Sequence, residues 1–215
     1  MNHRRTTIFS GLAAVIAAVA VVLVGTSIMH AADDAKRTEP TTQPATVSVK
    51  LYNAAGELVG PIEVSSLHLP EADWQKSLSK EQCYVLRSQG TEAPGSGELL
   101  HNKTEGVYVC AACRLPLYIS DAKFESGTGW PSFFQPIYKG NVREINDDTH
   151  GMVRTEVECA RCGGHLGHVF EDGPAPSGLR YCMNSVSLKF VTKDNLKSLA
   201  DPAASNVAPA TQLAK

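Results

Sequence analysis

A basic excess is the first thing missing from this 215-residue chain. Its 20 lysines and arginines face 22 acidic residues, for a net charge of −2. Without surplus cations to neutralise phosphates, nucleic acid is not expected as a partner. Internal repeats are missing too, beyond two short cysteine pairs. Charge is absent from residues 8–29, an apolar run broken only by Ser10, Gly11, Gly25, Thr26 and Ser27. As a helix that run would extend about 33 Å, against a bilayer core of about 30 Å. So long an uncharged run argues against a buried core helix. Arg4 and Arg5 precede it, and His30-Ala31-Ala32 follows as a small-residue step. Residues 1–31 therefore read either as a secretory signal or as a membrane anchor that stays attached. Both readings place the working domain outside the cytoplasm, periplasmic or secreted, with a membrane involved only through residues 8–29.

Helical periodicity is scarce. Residues 32–45 are polar, proline-containing and aperiodic, which predicts a disordered tether. Residues 196–215, rich in Ala, Pro, Ser and Asn, predict a disordered tail. Between them, about 150 residues suit one compact domain. Residues 46–77 read as an amino-terminal extension and 78–195 as the catalytic part. In the extension Val47, Val49 and Leu51 alternate before an Asn53-Ala-Ala-Gly56 turn, which predicts a β-hairpin. Residues 69–89 give the one convincing helical stretch, with Ser79 capping its second half and Gln82 three residues on. Short strands are expected at 106–109, 141–146, 152–157, 168–170 and 186–191, separated by glycine and proline turns. The fold class is mainly β: antiparallel sheets with few helices.

Of six cysteines, four form the pairs Cys110-Ala-Ala-Cys113 and Cys159-Ala-Arg-Cys162. Two cysteines three apart on a tight turn can aim both sulfurs at one ion, and two such knuckles complete a tetrahedral zinc shell. A complete shell leaves no open position, so the metal is expected to be a staple. Cys83 and Cys182 are left over, and at least one should be free for chemistry.

Cys182 sits two residues from Arg180 and two from Asn184, so in an extended segment all three leave on one face. A nearby cation favours the thiolate. Taken alone, a lone cysteine near a strand is more often a small buried hydrophobe. His165 and His168, three apart in a glycine-rich stretch, read as metal ligands, as proton carriers near neutral pH, or as hydrogen-bonded core. Four thiolates already fill the zinc shell, which weakens the first option. Trp130, held between Gly129 and Pro131, is either a flat wall for an apolar or sulfur-bearing group or an ordinary core residue.

The cysteine pairs, SGTGWPSF (126–133), CGGHLGHVFEDGP (162–174) and LRYCMNSVSLKF (179–190) together resemble the methionine-R-sulfoxide reductases (MsrB), over residues 78–190. The resemblance implies two antiparallel β-sheets with a few short helices and one structural Zn2+ held by Cys110, Cys113, Cys159 and Cys162. It implies Cys182 as nucleophile flanked by Arg180 and Asn184, His165 and His168 as active-site histidines, and Trp130 as receiver of the substrate's methyl group. The expected substrate is methionine-R-sulfoxide in proteins or peptides, with a sulfenic acid formed on Cys182. A thioredoxin-like or other thiol is the expected reductant, and the chain is expected to be a monomer. One departure matters. Many relatives carry a second, resolving cysteine where this chain has Thr128. Cys83 is then the expected resolving thiol, with direct reduction by an external thiol as the alternative. Other classes remain open at this point: a zinc-ribbon binding module, for which Cys182 would be dispensable, and a thiol peroxidase, which has no use for Trp130.

Overall fold

The computed structural model describes residues 44–148 and 153–209. The signal or anchor expected at 1–31, and nearly all of the tether expected at 32–45, lie outside the described residues. Among the described residues, no helix is long and apolar enough to cross a membrane.

The hairpin forms from β1 (Thr46–Tyr52) and β2 (Leu58–Ser65), paired antiparallel. Val47, Val49 and Leu51 point inward while Thr46 and Ser48 face water, as the alternation demands. The Asn53 side-chain oxygen accepts the Ala55 and Glu57 N–H groups, both at 3.0 Å, and so closes the turn. The single helical stretch expected at 69–89 is divided into α1 (Glu71–Ser77) and α2 (Lys80–Ser88). The break falls at Leu78, which is extended, because Ser79 starts a new helix with a full capping box. Its hydroxyl accepts the Gln82 N–H and the Gln82 side chain accepts the Ser79 N–H, each at 3.1 Å.

The remaining strands are β3 (Gly106–Cys110), β4 (Pro116–Ile119), β5 (Lys123–Phe124), β6 (Ser132–Phe133), β7 (Val142–Asp147), β8 (Arg154–Cys159), β9 (His165–Phe170), β10 (Arg180–Met183) and β11 (Leu188–Thr192). One sheet runs β11-β3-β4 and a second β5-β6-β10-β9-β8-β7, antiparallel throughout. Four of these, β4, β5, β6 and β10, were not expected. They are two to four residues long, too short for a period-two pattern to register. The strand expected at 186–191 begins instead with a tight helical turn, Ser185–Ser187.

The sheets close on an aromatic core. Tyr118 stacks on Phe133 with centroids 4.3 Å apart, Tyr108 meets Phe133 edge-on at 4.9 Å, and the Tyr118 hydroxyl donates to the Met183 sulfur at 3.2 Å. Removing one such ring would cost about 3–5 kcal/mol. The hairpin joins this body through Asn141, which is fully buried. Its amide accepts the Lys50 N–H at 2.8 Å and donates to the Lys50 and Pro116 carbonyls at 2.9 and 2.6 Å. One side chain thus completes a ladder the backbone leaves open. In the described part of the tail expected at 196–215, residues 196–209, the expected disorder is corrected: short helical turns at Lys193–Leu199 and Pro202–Ala204 bury Leu199 and Ala204. Composition pointed to disorder, but these two small apolar contacts, the Tyr52–Ala200 bridge and an Arg161–Asp201 ion pair at 2.7 Å hold the segment.

Candidate active site

The two cysteine pairs sit where hairpins turn, Cys110 and Cys113 between β3 and β4, Cys159 and Cys162 between β8 and β9. Both turns have the same frame. The Arg114 N–H donates to the Cys110 carbonyl and the Gly163 N–H to the Cys159 carbonyl, each at 2.9 Å. The first cysteine of each pair donates its own N–H across the turn, Cys110 to Leu115 and Cys159 to Gly164, again at 2.9 Å. The four sulfurs lie within 4.8 Å of one another, with Cys110–Cys162 at 3.7 Å and Cys113–Cys159 at 3.5 Å. A tetrahedron with metal–sulfur bonds of about 2.3 Å has edges of about 3.8 Å. The donor set therefore fits a metal ion, and Cys110, Cys159 and Cys162 are buried away from solvent.

Cys182 lies within β10, and β6 and β9 flank it. Its register partners are Ser132 and His168, so these three side chains share one face. The approach of β9 to β10 needs Gly167: a Cβ there would lie 2.0 Å from the Cys182 carbonyl oxygen. The Thr128 hydroxyl sits 3.8 Å from the Cys182 sulfur and is linked through Ser126 to Ser132 by contacts of 2.9 and 2.7 Å. Arg180 is aimed by a two-pronged bond to Asp172, at 2.8 and 2.9 Å, and lies 4.4 Å over the Phe170 ring. Burial pushes the Cys182 thiol above its ordinary range, opposed by the Thr128 hydroxyl, the Arg180 charge and Ser132.

A cavity of about 140 Å³ opens beside this sulfur. Cys182, His168, Trp130 and Asn184 line it, with Thr91, Arg154, Gly167 and Phe170. Trp130 is fixed by its indole N–H donating to the Glu92 carbonyl at 3.2 Å. Its loop passes tightly over Pro94 at Gly129, whose φ of +94 and 2.8 Å clearance exclude a side chain. The Asn184 amide is largely spent on architecture, accepting the Glu92 N–H and donating to the Leu166 carbonyl.

Each histidine has a carboxylate. His168 Nε2 donates to Asp147 at 2.8 Å, and Arg154 donates to the same oxygen at 2.7 Å. His165 Nδ1 donates to Glu156 at 2.6 Å. The rings lie 5.4 Å apart, edge to face. Residues three apart on a regular strand would face opposite ways; a bulge in the β8–β9 pairing at Val157/Glu158 brings them together. Burial holds His168 below the usual imidazole range; Asp147 opposes this and Arg154 adds to it.

Of the residues singled out from sequence, Cys182, His168, Trp130 and Asn184 meet at the cavity, and Arg180 lies beside Cys182. His165 stands behind His168 and does not line the cavity. Cys83 is not brought there either: it packs in α2 with its sulfur 3.9 Å from the Trp74 carbonyl. Sequence reasoning missed Arg154, Asp147, Glu156 and Thr91. For Asp147, Arg154 and Glu156 the only local signal was a charged strand, which usually means a solvated face, whereas Glu156 is buried across from β9; Thr91 lies on no strand and gave no signal.

The SelR domain matches residues 78–192. The peptide methionine sulfoxide reductase MsrB of Agrobacterium fabrum is 56% identical over 120 residues, covering 56% of this chain and 89% of that protein. The protein of the same name from Methanosarcina barkeri is 59% identical over 127 residues, 59% of this chain and 89% of its own. That from Leptospira interrogans is 58% identical over 120 residues, 56% and 92% respectively.

Proposed function

The chain belongs to the SelR-domain family of peptide methionine sulfoxide reductases MsrB, and we infer that it reduces the R epimer of methionine sulfoxide in peptides and proteins through Cys182. One observation carries the assignment to that sulfur. Four of the six thiols gather as a cluster that could hold a metal ion, and Cys182, one of the other two, lines a cavity beside Trp130 and His168.

In the reaction the Cys182 thiolate attacks the substrate sulfur while the sulfoxide oxygen takes up a proton. The oxygen passes to Cys182, leaving methionine and a sulfenic acid, so the substrate gains the two electrons that the cysteine loses. Charge builds on the departing oxygen and needs a donor there. His168 suits this role. Asp147 holds its Nε2–H, so the remaining nitrogen, Nδ1, donates once the ring is an imidazolium. Arg180, locked by Asp172, supports the thiolate. The Trp130 face receives the methyl group, and fixing methyl and oxygen together leaves one epimer facing the thiolate.

The Thr128 hydroxyl lies 3.8 Å from the Cys182 sulfur, and Cys83 lies in α2 against Trp74. The reading this supports is that an external thiol attacks the sulfenic sulfur and releases water. A second thiol then frees Cys182 as the external disulfide forms. Cys110, Cys113, Cys159 and Cys162 would hold zinc, since a four-thiolate tetrahedron suits that ion. Bound there, zinc would supply cross-linking rather than catalysis, pinning the β3–β4 turn to the β8–β9 turn. Residues 1–31 would direct the chain out of the cytoplasm, which cell fractionation of the full chain tests. The activity is tested with separated R and S epimers of a methionine sulfoxide peptide and dithiothreitol. Wild type should consume R only and Cys182→Ser neither; consumption of both epimers, or by the variant, would overturn the reading.

A further inference from the structure

We propose that Glu156, braced by Gln89, is a positioning residue that fixes which nitrogen of His165 carries the proton. The proposal rests on the reductase reading above and concerns the imidazole behind His168. Glu156 is 7% exposed, and its carboxylate accepts from two side chains through three contacts. His165 Nδ1 donates to Oε1 at 2.6 Å, and the Gln89 amide reaches both oxygens at 3.0 Å. Burial favours the neutral acid, yet the hydrogen bonds from His165 and Gln89 outweigh it and hold the carboxyl below its usual range. The acceptor is ionised, so the proton sits on Nδ1. His165 Nε2 is buried and meets no protein partner among the described residues.

Two further features point beyond folding. Gln89 ends α2 with φ of +55, a left-handed conformation that glycine adopts more easily. What glutamine adds there is the amide on Glu156. Meanwhile the two histidines are anchored by opposite nitrogens, His168 through Nε2 to Asp147 and His165 through Nδ1 to Glu156. With the rings 5.4 Å apart, the nitrogens left over are Nδ1 of His168 and Nε2 of His165. Glu156 thus makes His165 complementary to its neighbour.

The test uses Glu156→Gln and Gln89→Gly in the full chain. A glutamine at 156 can turn its own N–H toward Nδ1 and release the tautomer. In 15N-histidine spectra of the substrate-free protein, Glu156→Gln should lose the Nδ1–H signature of His165. Its kcat on an R-sulfoxide peptide should fall on the order of tenfold, with KM within about twofold. Gln89→Gly relieves the backbone while removing both amide bonds, so it should fold as stably as wild type and show a smaller fall in kcat. An unchanged His165 tautomer in Glu156→Gln, or unchanged kcat in both variants, would overturn the proposal. A wild type inactive on the R epimer would instead defeat the reductase reading, and the spectra would still decide the role of Glu156.

Discussion

Replacing Asp147 with asparagine would test how the catalytic proton is held. The proposed reaction needs a thiolate and an imidazolium together, yet burial raises the Cys182 thiol and lowers His168. The free protein is therefore mostly thiol with neutral imidazole, and the reactive pairing is its minority form. In that regime kcat/KM rises with pH up to the His168 pKa, holds level, and falls above the Cys182 pKa. The level between is lowered tenfold for each unit that separates the two. Asp147, 2.8 Å from Nε2, is what opposes burial at His168. A hydrogen bond to a charged group contributes about 1.5–3 kcal/mol, or about one to two pKa units. Asp147→Asn should thus move the acid limb down by about one to two pH units and lower the level about 10- to 100-fold, with the alkaline limb in place. Arg154 offers the opposite sign, since its charge lowers His168. Arg154→Gln should move the acid limb upward. The assay is kcat/KM on an R-sulfoxide peptide across pH for the three proteins. An acid limb that stays put in Asp147→Asn, or moves the same way in both variants, would refute the reasoning.

Three other outcomes follow from the geometry. Thr128→Cys puts a sulfur where a hydroxyl lies 3.8 Å from Cys182, so one turnover should leave a 128–182 disulfide detectable by mass spectrometry. Cys83→Ser should keep full turnover with a monothiol reductant; a Cys83–Cys182 link in the oxidised wild type would show that Cys83 resolves the intermediate after all. Metal analysis should find one zinc per chain, and Cys159→Ser should lower the melting temperature by roughly 10 °C or more, since the metal's binding energy is folding energy.

The metal cluster was legible because its signal is local: two cysteines three apart imply a turn, and two turns imply a shared ion. The hairpin and the Ser79 cap were legible for the same reason, each resting on residues within a few positions. The face that lines the cavity was legible only in part. Arg180, Cys182 and Asn184 are neighbours in sequence, but the bulge that turns His165 beside His168 depends on how β8 meets β9. The carboxylates behind the histidines come from β7 and β8, which the sequence marked only as short strands. The tail beyond residue 196 misled because a few small contacts in the described segment outweigh its composition.

A single-turnover experiment without reductant asks most directly whether Cys182 takes the oxygen. Mixed with excess R-sulfoxide peptide, the wild type should release one methionine peptide per chain, and the tryptic fragment bearing Cys182 should gain one oxygen or its dimedone adduct. The S epimer should leave that fragment unchanged. Oxygen found on any other cysteine, or methionine released by Cys182→Ser, would contradict the account.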